Sequence, residues 1–199
     1  MTLPTIRPAA PSAGAAHVRV GIVFDIPFAD FVHRALRTQE RVQFSQLDAY
    51  GHLATAQYVN LYFDHRMQVV KDLLSVDLGA MLKHQKLAFF LKDIRYQFGM
   101  PCSMGDAIEV TSWVERYSER DQEQRCIVVG QEDRLVRANA VFTFVCVNLE
   151  TGKKAPMPLI WPSSADRNLS LDQPSAADYL ATVKNPPADW VEAVQRSPG

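Results

Sequence analysis

The sequence predicts an α+β protein in which an antiparallel sheet wraps around one long helix. Two observations carry that prediction. Early in the chain, Ala56, Val59, Phe63, Met67, Val70 and Leu74 recur at the three-and-four spacing of a single apolar helix face. From Leu87 onward the texture changes to long alternating runs rich in aromatic and β-branched residues, joined by short polar links. One helix followed by meandering strands is an α+β arrangement, because the sheet can bury the helix on one of its faces.

Composition bounds the function. With 199 residues, 47% hydrophobic and 22% charged, the chain suits one ordinary domain with extensions and a substantial core. A net charge of −1 argues against nucleic acid or an anionic membrane as partner, since both call for a basic face. No apolar run reaches the length of a membrane span. Cys102, Cys126 and Cys146 show neither CxxC pairing nor histidines at ligand spacing. Buried thiols in a reducing, cytoplasmic setting are therefore expected, with no metal and no cofactor.

Taken in order, residues 1–17 are rich in Pro, Ala and Ser and have little to bury, so a disordered tail is expected and not a signal peptide. Val18 to Phe28 reads as an extra edge strand or a lid segment, Pro27 restricting it to an edge. These residues form an N-terminal unit over 1–30, ahead of a main domain over 31–160 and an extension over 161–199. An extended segment from Phe31 to Phe44 leads to the helix, expected from about Ala56 to Leu74 and closed near Gly79. Strands are expected at 87–98, 107–117, 125–133 and 135–150, with turns at Pro101–Asp106 and a polar hairpin loop from Ser118. Ile94, Tyr96 and Phe98 share one face, as do Ile108, Val110, Ser112 and Val114, and Ala138, Ala140, Phe142, Phe144 and Cys146. TGKKAPMP ends the sheet; beyond it, ADYLATVK and ADWVEAV predict two short helical turns that cap a dimer or lie over a pocket. A sheet of this kind leaves an open edge, and pairing edges across a two-fold axis would bury it, so a homodimer is expected.

The stretch with chemical content is FSQLDAYGHLATAQYVNLYFDHRMQVV, 44–70, where a strand end turns through DAYGH into the helix. Asp48 is thereby presented at the positive end of a helix, where backbone N–H groups lack partners. Such a place can hold an anion or stabilise an oxygen that is becoming one. The same residue type at the same place also serves as an Asx-turn or cap, and the local pattern leaves both roles open.

The layout and this motif together resemble the hotdog-fold acyl-CoA thioesterases of the 4-hydroxybenzoyl-CoA thioesterase type. The residues that carry the resemblance are Asp48, Gly51, His52, Leu53 and Tyr58, followed by Asp64 and Arg66 in YVNLYFDHR. IRYQFGMPCSMGDAIEV and VFTFVCVNLETGKKAPMP match the later strands and turns, so the similarity spans roughly 34–160. Two positions depart from the family: Gln46 stands where an acidic residue is common, and Ala54-Thr55 stands for an Asn-Asn pair.

The resemblance implies a hotdog fold and hydrolysis of an acyl-CoA thioester to free CoA and a carboxylic acid. It implies that Asp48 is the catalytic nucleophile or general base, that the backbone N–H of Thr55 polarises the carbonyl, and that His52 orients Asp48 or the substrate. Tyr58, Gln46 and Gly51 are the implied substrate-binding positions. The implied partners are an acyl-CoA or acyl-carrier-protein thioester and further copies of the chain, as a homodimer or a dimer of dimers. A non-catalytic acyl-CoA-binding protein and a thioesterase for carrier-bound chains are the alternatives on the same fold. Phe89, Phe90, Phe142 and Phe144 are candidates for an acyl pocket, and Lys92, Arg95, Lys153 and Lys154 for CoA phosphates, although core packing and solvated positions are the better explanation of these residues.

Overall fold

Alternation along the strands commits one set of side chains to each face of a sheet, and here both faces are buried. The structure is a computed structural model that describes residues 34–73, 78–157 and 173–196. The N-terminal tail, the strand expected at Val18–Phe28 and the stretch from 158 to 172 lie outside the described residues. The elements are β1 (Leu36–Arg41), α1 (Thr55–Gln68), α2 (Leu78–Gln85), β2 (Leu87–Phe98), β3 (Ala107–Tyr117), β4 (Gln122–Gly130), β5 (Val136–Asn148), β6 (Lys153–Ala155), α3 (Ala176–Ala181) and α4 (Ala188–Arg196). A 3-10 turn at Phe44–Gln46 precedes α1, and a π-helical turn at Val69–Leu73 follows it.

The strands form one antiparallel sheet in the order β1-β3-β4-β5-β2. β6 takes the side of β5 that β4 leaves free, pairing at Cys146–Asn148. β3, β4 and β5 meander, as expected of most of the strands, whereas β2 crosses to the far side and pairs with β5. β4 starts at Gln122 and not at Arg125, because the hairpin loop tightens to Ser118–Asp121, where Ser118 N–H donates to Asp121 C=O at 2.9 Å. β2 occurs at the expected residues, and its outer edge meets no strand among the described residues.

Against the concave face lies α1, and here the expected apolar face is the wrong one. Tyr58, Leu61, Tyr62, His65 and Val69 are buried, whereas Ala56 and Met67 are exposed and Val59, Phe63 and Val70 are only partly covered. Large side chains with polar tips won the inner face because the sheet offers each tip a partner. Tyr62 stacks on Phe142 with ring centroids 3.5 Å apart, and its hydroxyl donates to Gln124 Oε1. His65 is 1% exposed and spans helix and sheet, with Nδ1 at 2.8 Å from Thr38 Oγ1 and Nε2 at 2.8 Å from Ser112 Oγ. Gly79 does not close the helix; it lies in the first turn of α2.

The inner core contains Leu53, Tyr58, Leu61, Tyr62, Ile108, Val110, Cys126, Ala138, Ala140, Phe142 and Phe144. All three cysteines are buried and unpaired. A second core fills the opposite face, where Trp113, Ile127 and Val129 meet Ala176, Tyr179, Leu180, Val183 and Trp190. The two helical turns expected in the extension are present as α3 and α4, and they pack on this outer face, away from α1.

Burial pushes the His65 imidazole from its ordinary 6.5 down to about 3. The folded state then binds fewer protons than the unfolded one between those values, so stability falls as pH drops through that window. Each pH unit below the unfolded value costs up to about 1.4 kcal/mol from this group. Urea unfolding between pH 6.5 and 5 should show a positive slope of stability with pH that flattens in His65→Gln. His65→Ala should lose about 2–4 kcal/mol at neutral pH, because the Thr38 and Ser112 hydroxyls are left without their partner.

Candidate active site

The DAYGH turn is the tip of a small hairpin whose second arm becomes α1. Asp48 N–H donates to His52 C=O at 2.8 Å, Gly51 N–H to Asp48 C=O at 3.1 Å, and Ala54 N–H to Gln46 C=O at 2.9 Å. The turn requires a left-handed residue, and Gly51 supplies it with φ of 77°. Leu53 N–H donates to Cys102 C=O at 2.8 Å and His52 bridges to Ser103, so the loop before β3 forms a second wall.

Asp48 is exposed, and its two oxygens differ. Oδ1 accepts from Tyr50 N–H at 2.8 Å and from His52 N–H at 3.1 Å. Those bonds make the Asx-turn that local pattern allowed, and they hold the carboxylate over the tip. No hydrogen bond among the described residues engages Oδ2. The capping position of α1 is Ala54, which gives no side-chain cap to the helix. Gln57 N–H turns back to Ala54 C=O at 2.8 Å, and the N–H groups of Thr55 and Ala56 take no side-chain cap at the positive end of the dipole. One carboxylate oxygen fixed, one open, and a helix start without a side-chain cap after the turn can bind a carbonyl and attack or hydrate it.

The other expected positions divide. His52 is exposed and meets Asp48 through its backbone, while its imidazole has no hydrogen bond among the described residues. The Gln46 side chain turns back to accept from Gln43 N–H at 2.8 Å and closes the 3-10 turn, while its carbonyl holds Ala54. Tyr58 is buried behind the turn, donating to Cys102 Sγ at 3.5 Å and meeting the Phe98 ring edge-on at 5.4 Å. Phe142 and Phe144 belong to the inner core, and Phe89 and Phe90 lie on β2 at the open edge. Lys92, Arg95, Lys153 and Lys154 are exposed, and Arg95 pairs with Asp93 at 3.8 Å.

Two features have no counterpart in the sequence reading. Large apolar side chains stand exposed on the turn and on segments leading into or away from it: Tyr50 at 86%, Phe44 at 79%, Met104 at 62% and Met100 at 54%. Isolated in sequence, each is unremarked; only the folding of 44–54 beside 98–105 gathers these segments. A polar cleft of about 290 Å³ also opens beside Gly105, lined by Arg41, Asp106, Gln131, Glu132, Asp133 and Arg137. Arg137 Nη2 already donates to Asp133 Oδ2 at 2.6 Å, and three carboxylates offset two guanidinium groups, so the cleft has no excess positive charge for a phosphate.

Known proteins share the fold that carries this turn. The chain is 25% identical over 118 residues to the long-chain acyl-CoA thioesterase FadM of Escherichia coli, which spans 59% of this chain and 87% of that protein. The structure resembles the 1,4-dihydroxy-2-naphthoyl-CoA thioesterase of Synechocystis, with a TM-score of 0.59 at 18% identity, covering 70% of this chain and 99% of that one. It resembles equally a Staphylococcus aureus protein solved in complex with CoA, with a TM-score of 0.59 at 14% identity over 84% of this chain and 96% of that one. These likenesses show the hotdog fold, a curled antiparallel sheet around a long helix. A family model described as the thioesterase-like superfamily matches residues 42–167, more than half of the chain and all of the DAYGH hairpin, α1 and the sheet from β2 onward, and the chain belongs to that superfamily.

Proposed function

We propose that this protein hydrolyses acyl-CoA thioesters, with Asp48 as the reacting carboxylate and the Thr55 N–H as the donor that polarises the thioester carbonyl. The observation that carries this reading is the division of labour within Asp48: Oδ1 is held by two backbone N–H groups and Oδ2 is open, on the turn that leads into the start of α1. Oδ2 either adds to the carbonyl carbon, giving an anhydride that water then opens, or takes a proton from the water that adds. In both courses negative charge builds on the carbonyl oxygen, and the thiolate of CoA leaves. The acyl-CoA substrates named for the relatives, long-chain and naphthoyl alike, support the substrate class. The DAYGH motif at the helix start supports the 4-hydroxybenzoyl-CoA type of arrangement within it.

The working unit in this reading is a homodimer. An oxyanion donor gains its strength where water is excluded, and in the single chain Asp48 is exposed. Among the described residues the twelve-residue β2 has a free edge, and the strand carries exposed Phe90 and Leu91. The outward stripe of the helix, Ala56, Val59 and Met67 on α1 with Val70 on the π-helical turn, offers apolar surface as well. An edge and a helix face left uncovered suit the same surfaces of a second copy.

Two measurements check the proposal. Thiol release from a panel of acyl-CoAs should fall at least about 100-fold in Asp48→Asn, while binding of a non-hydrolysable acyl-CoA thioether persists. Equal rates in the two proteins remove Asp48 from the chemistry, and thioether binding without release from any CoA or carrier-protein thioester supports a binding protein instead. Light scattering should give a dimer for the wild type, and Phe90→Lys with Leu91→Glu should yield a monomer of low activity. A fully active monomer contradicts the edge-pairing reading.

A further inference from the structure

The C-terminal segment 173–196 begins after the superfamily match ends at 167, yet it is fastened to the sheet along its length. Ala35 N–H donates to Pro174 C=O at 2.9 Å, and Arg34 bridges to Ser175 beside β1. Tyr179 of α3 donates its hydroxyl to Glu109 Oε1 at 3.0 Å, and the same oxygen takes Arg134 Nη1 at 3.1 Å. Arg134 Nη2 reaches on to Thr182 Oγ1 at 3.0 Å, and Lys184 N–H closes on Arg134 C=O at 2.9 Å. Trp190 of α4 meets Trp113 edge-on, with centroids 5.4 Å apart, and lies under the Arg125 guanidinium at 4.9 Å. Arg125 is itself paired with Glu115 at 3.2 Å, which also accepts Trp113 Nε1–H at 3.1 Å.

Two charged groups on the sheet, Glu109 and Arg125, are thus nearly buried; their ion-pair partners Arg134 and Glu115 come from the sheet and its turns, and the segment adds the Tyr179 hydroxyl to the first and the Trp190 ring to the second. The segment completes the hydrogen bonding of Glu109 and joins Trp113, Ile127 and Val129 in one core, so the outer face is shaped to receive it. Stripped of the segment, that face would present Trp113, Ile127 and Val129 as one apolar patch. A sheet face of this kind is otherwise covered by another sheet, and for a symmetric assembly that sheet belongs to a second copy.

We infer that residues 173–196 are a built-in cover that closes the outer face of the sheet to other copies of the chain. Self-association is then confined to the β2 edge and the outward stripe of α1, a consequence that rests on the edge pairing proposed above. The cover itself does not depend on that pairing.

The test loosens the cover in the full-length chain with Arg134→Ala and Trp190→Ala together, and reads two quantities. Hydrogen exchange across 176–196 should quicken by about tenfold or more. The mass by light scattering should rise at least to twice that of the wild type, whatever the wild-type mass is. Quickened exchange with no rise in mass overturns the inference. So does a wild type whose 176–196 amides become more protected as protein concentration increases, since the face would then already be shared. If the double variant fails to fold, Thr182→Val removes only the Arg134 Nη2 bond and the hydroxyl's bond to Tyr179 C=O, and exchange and mass must rise together there too. A monomeric wild type would contradict the edge pairing and not the cover, because the readout is the rise.

Discussion

The seating of α1 on the concave face is the constraint on which the rest depends. The helix is held not by an oily stripe alone but by polar tips that find partners in the sheet: Tyr62 at Gln124, and His65 between Thr38 and Ser112. Such contacts are directional, so they set the rotation and height of the helix more narrowly than packing of aliphatic side chains would. Rotation decides which stripe faces outward, and height decides where the first N–H groups emerge. At that end, Leu53 on Cys102 and Ala54 on Gln46 tie the last residues before the helix to two loops. Asp48 and Thr55 therefore inherit their positions from a core two turns away.

The sheet was legible in the sequence where alternation was long and unbroken. β2 and β3 occur at the expected residues, and Ile94, Tyr96, Ile108 and Val110 face inward as their period of two requires. Pairing was not legible, because nothing in the local pattern of β2 says that its partner is β5 and not β3. The helix was legible as a helix but not in its orientation. The stripe of Ala56, Val59 and Met67 stands outward, while Leu61 took the inside together with Tyr58, Tyr62 and His65. Amphipathic aromatics and a neutral imidazole carry much buried surface once their tips are satisfied, and a scale that scores them as polar misplaces the core.

At the site, the position of Asp48 on a turn before a helix was legible, and so was the need for glycine at position 51. The Asx-turn and the open oxygen coexist, so the structural and chemical readings of this aspartate do not compete. Gln46 carries a different lesson: a side chain at a family position for acidic residues is used here to close a 3-10 turn, and its backbone supports Ala54. The outer face shows what a short amphipathic tail can do that its sequence does not announce. Its charged partners, Glu109, Arg125 and Arg134, are spread over the middle of the chain, and only the sheet collects them.

In the proposed mechanism the start of α1 polarises the thioester carbonyl that Asp48 acts on. Infrared spectroscopy of an acyl-CoA labelled with carbon-13 at the carbonyl and bound to Asp48→Asn tests this most directly, because turnover is blocked and the donor is intact. The carbonyl stretch should move to lower frequency than for the same thioester in water. An unshifted or higher frequency would show that no preorganised donor meets the carbonyl, and would contradict the account.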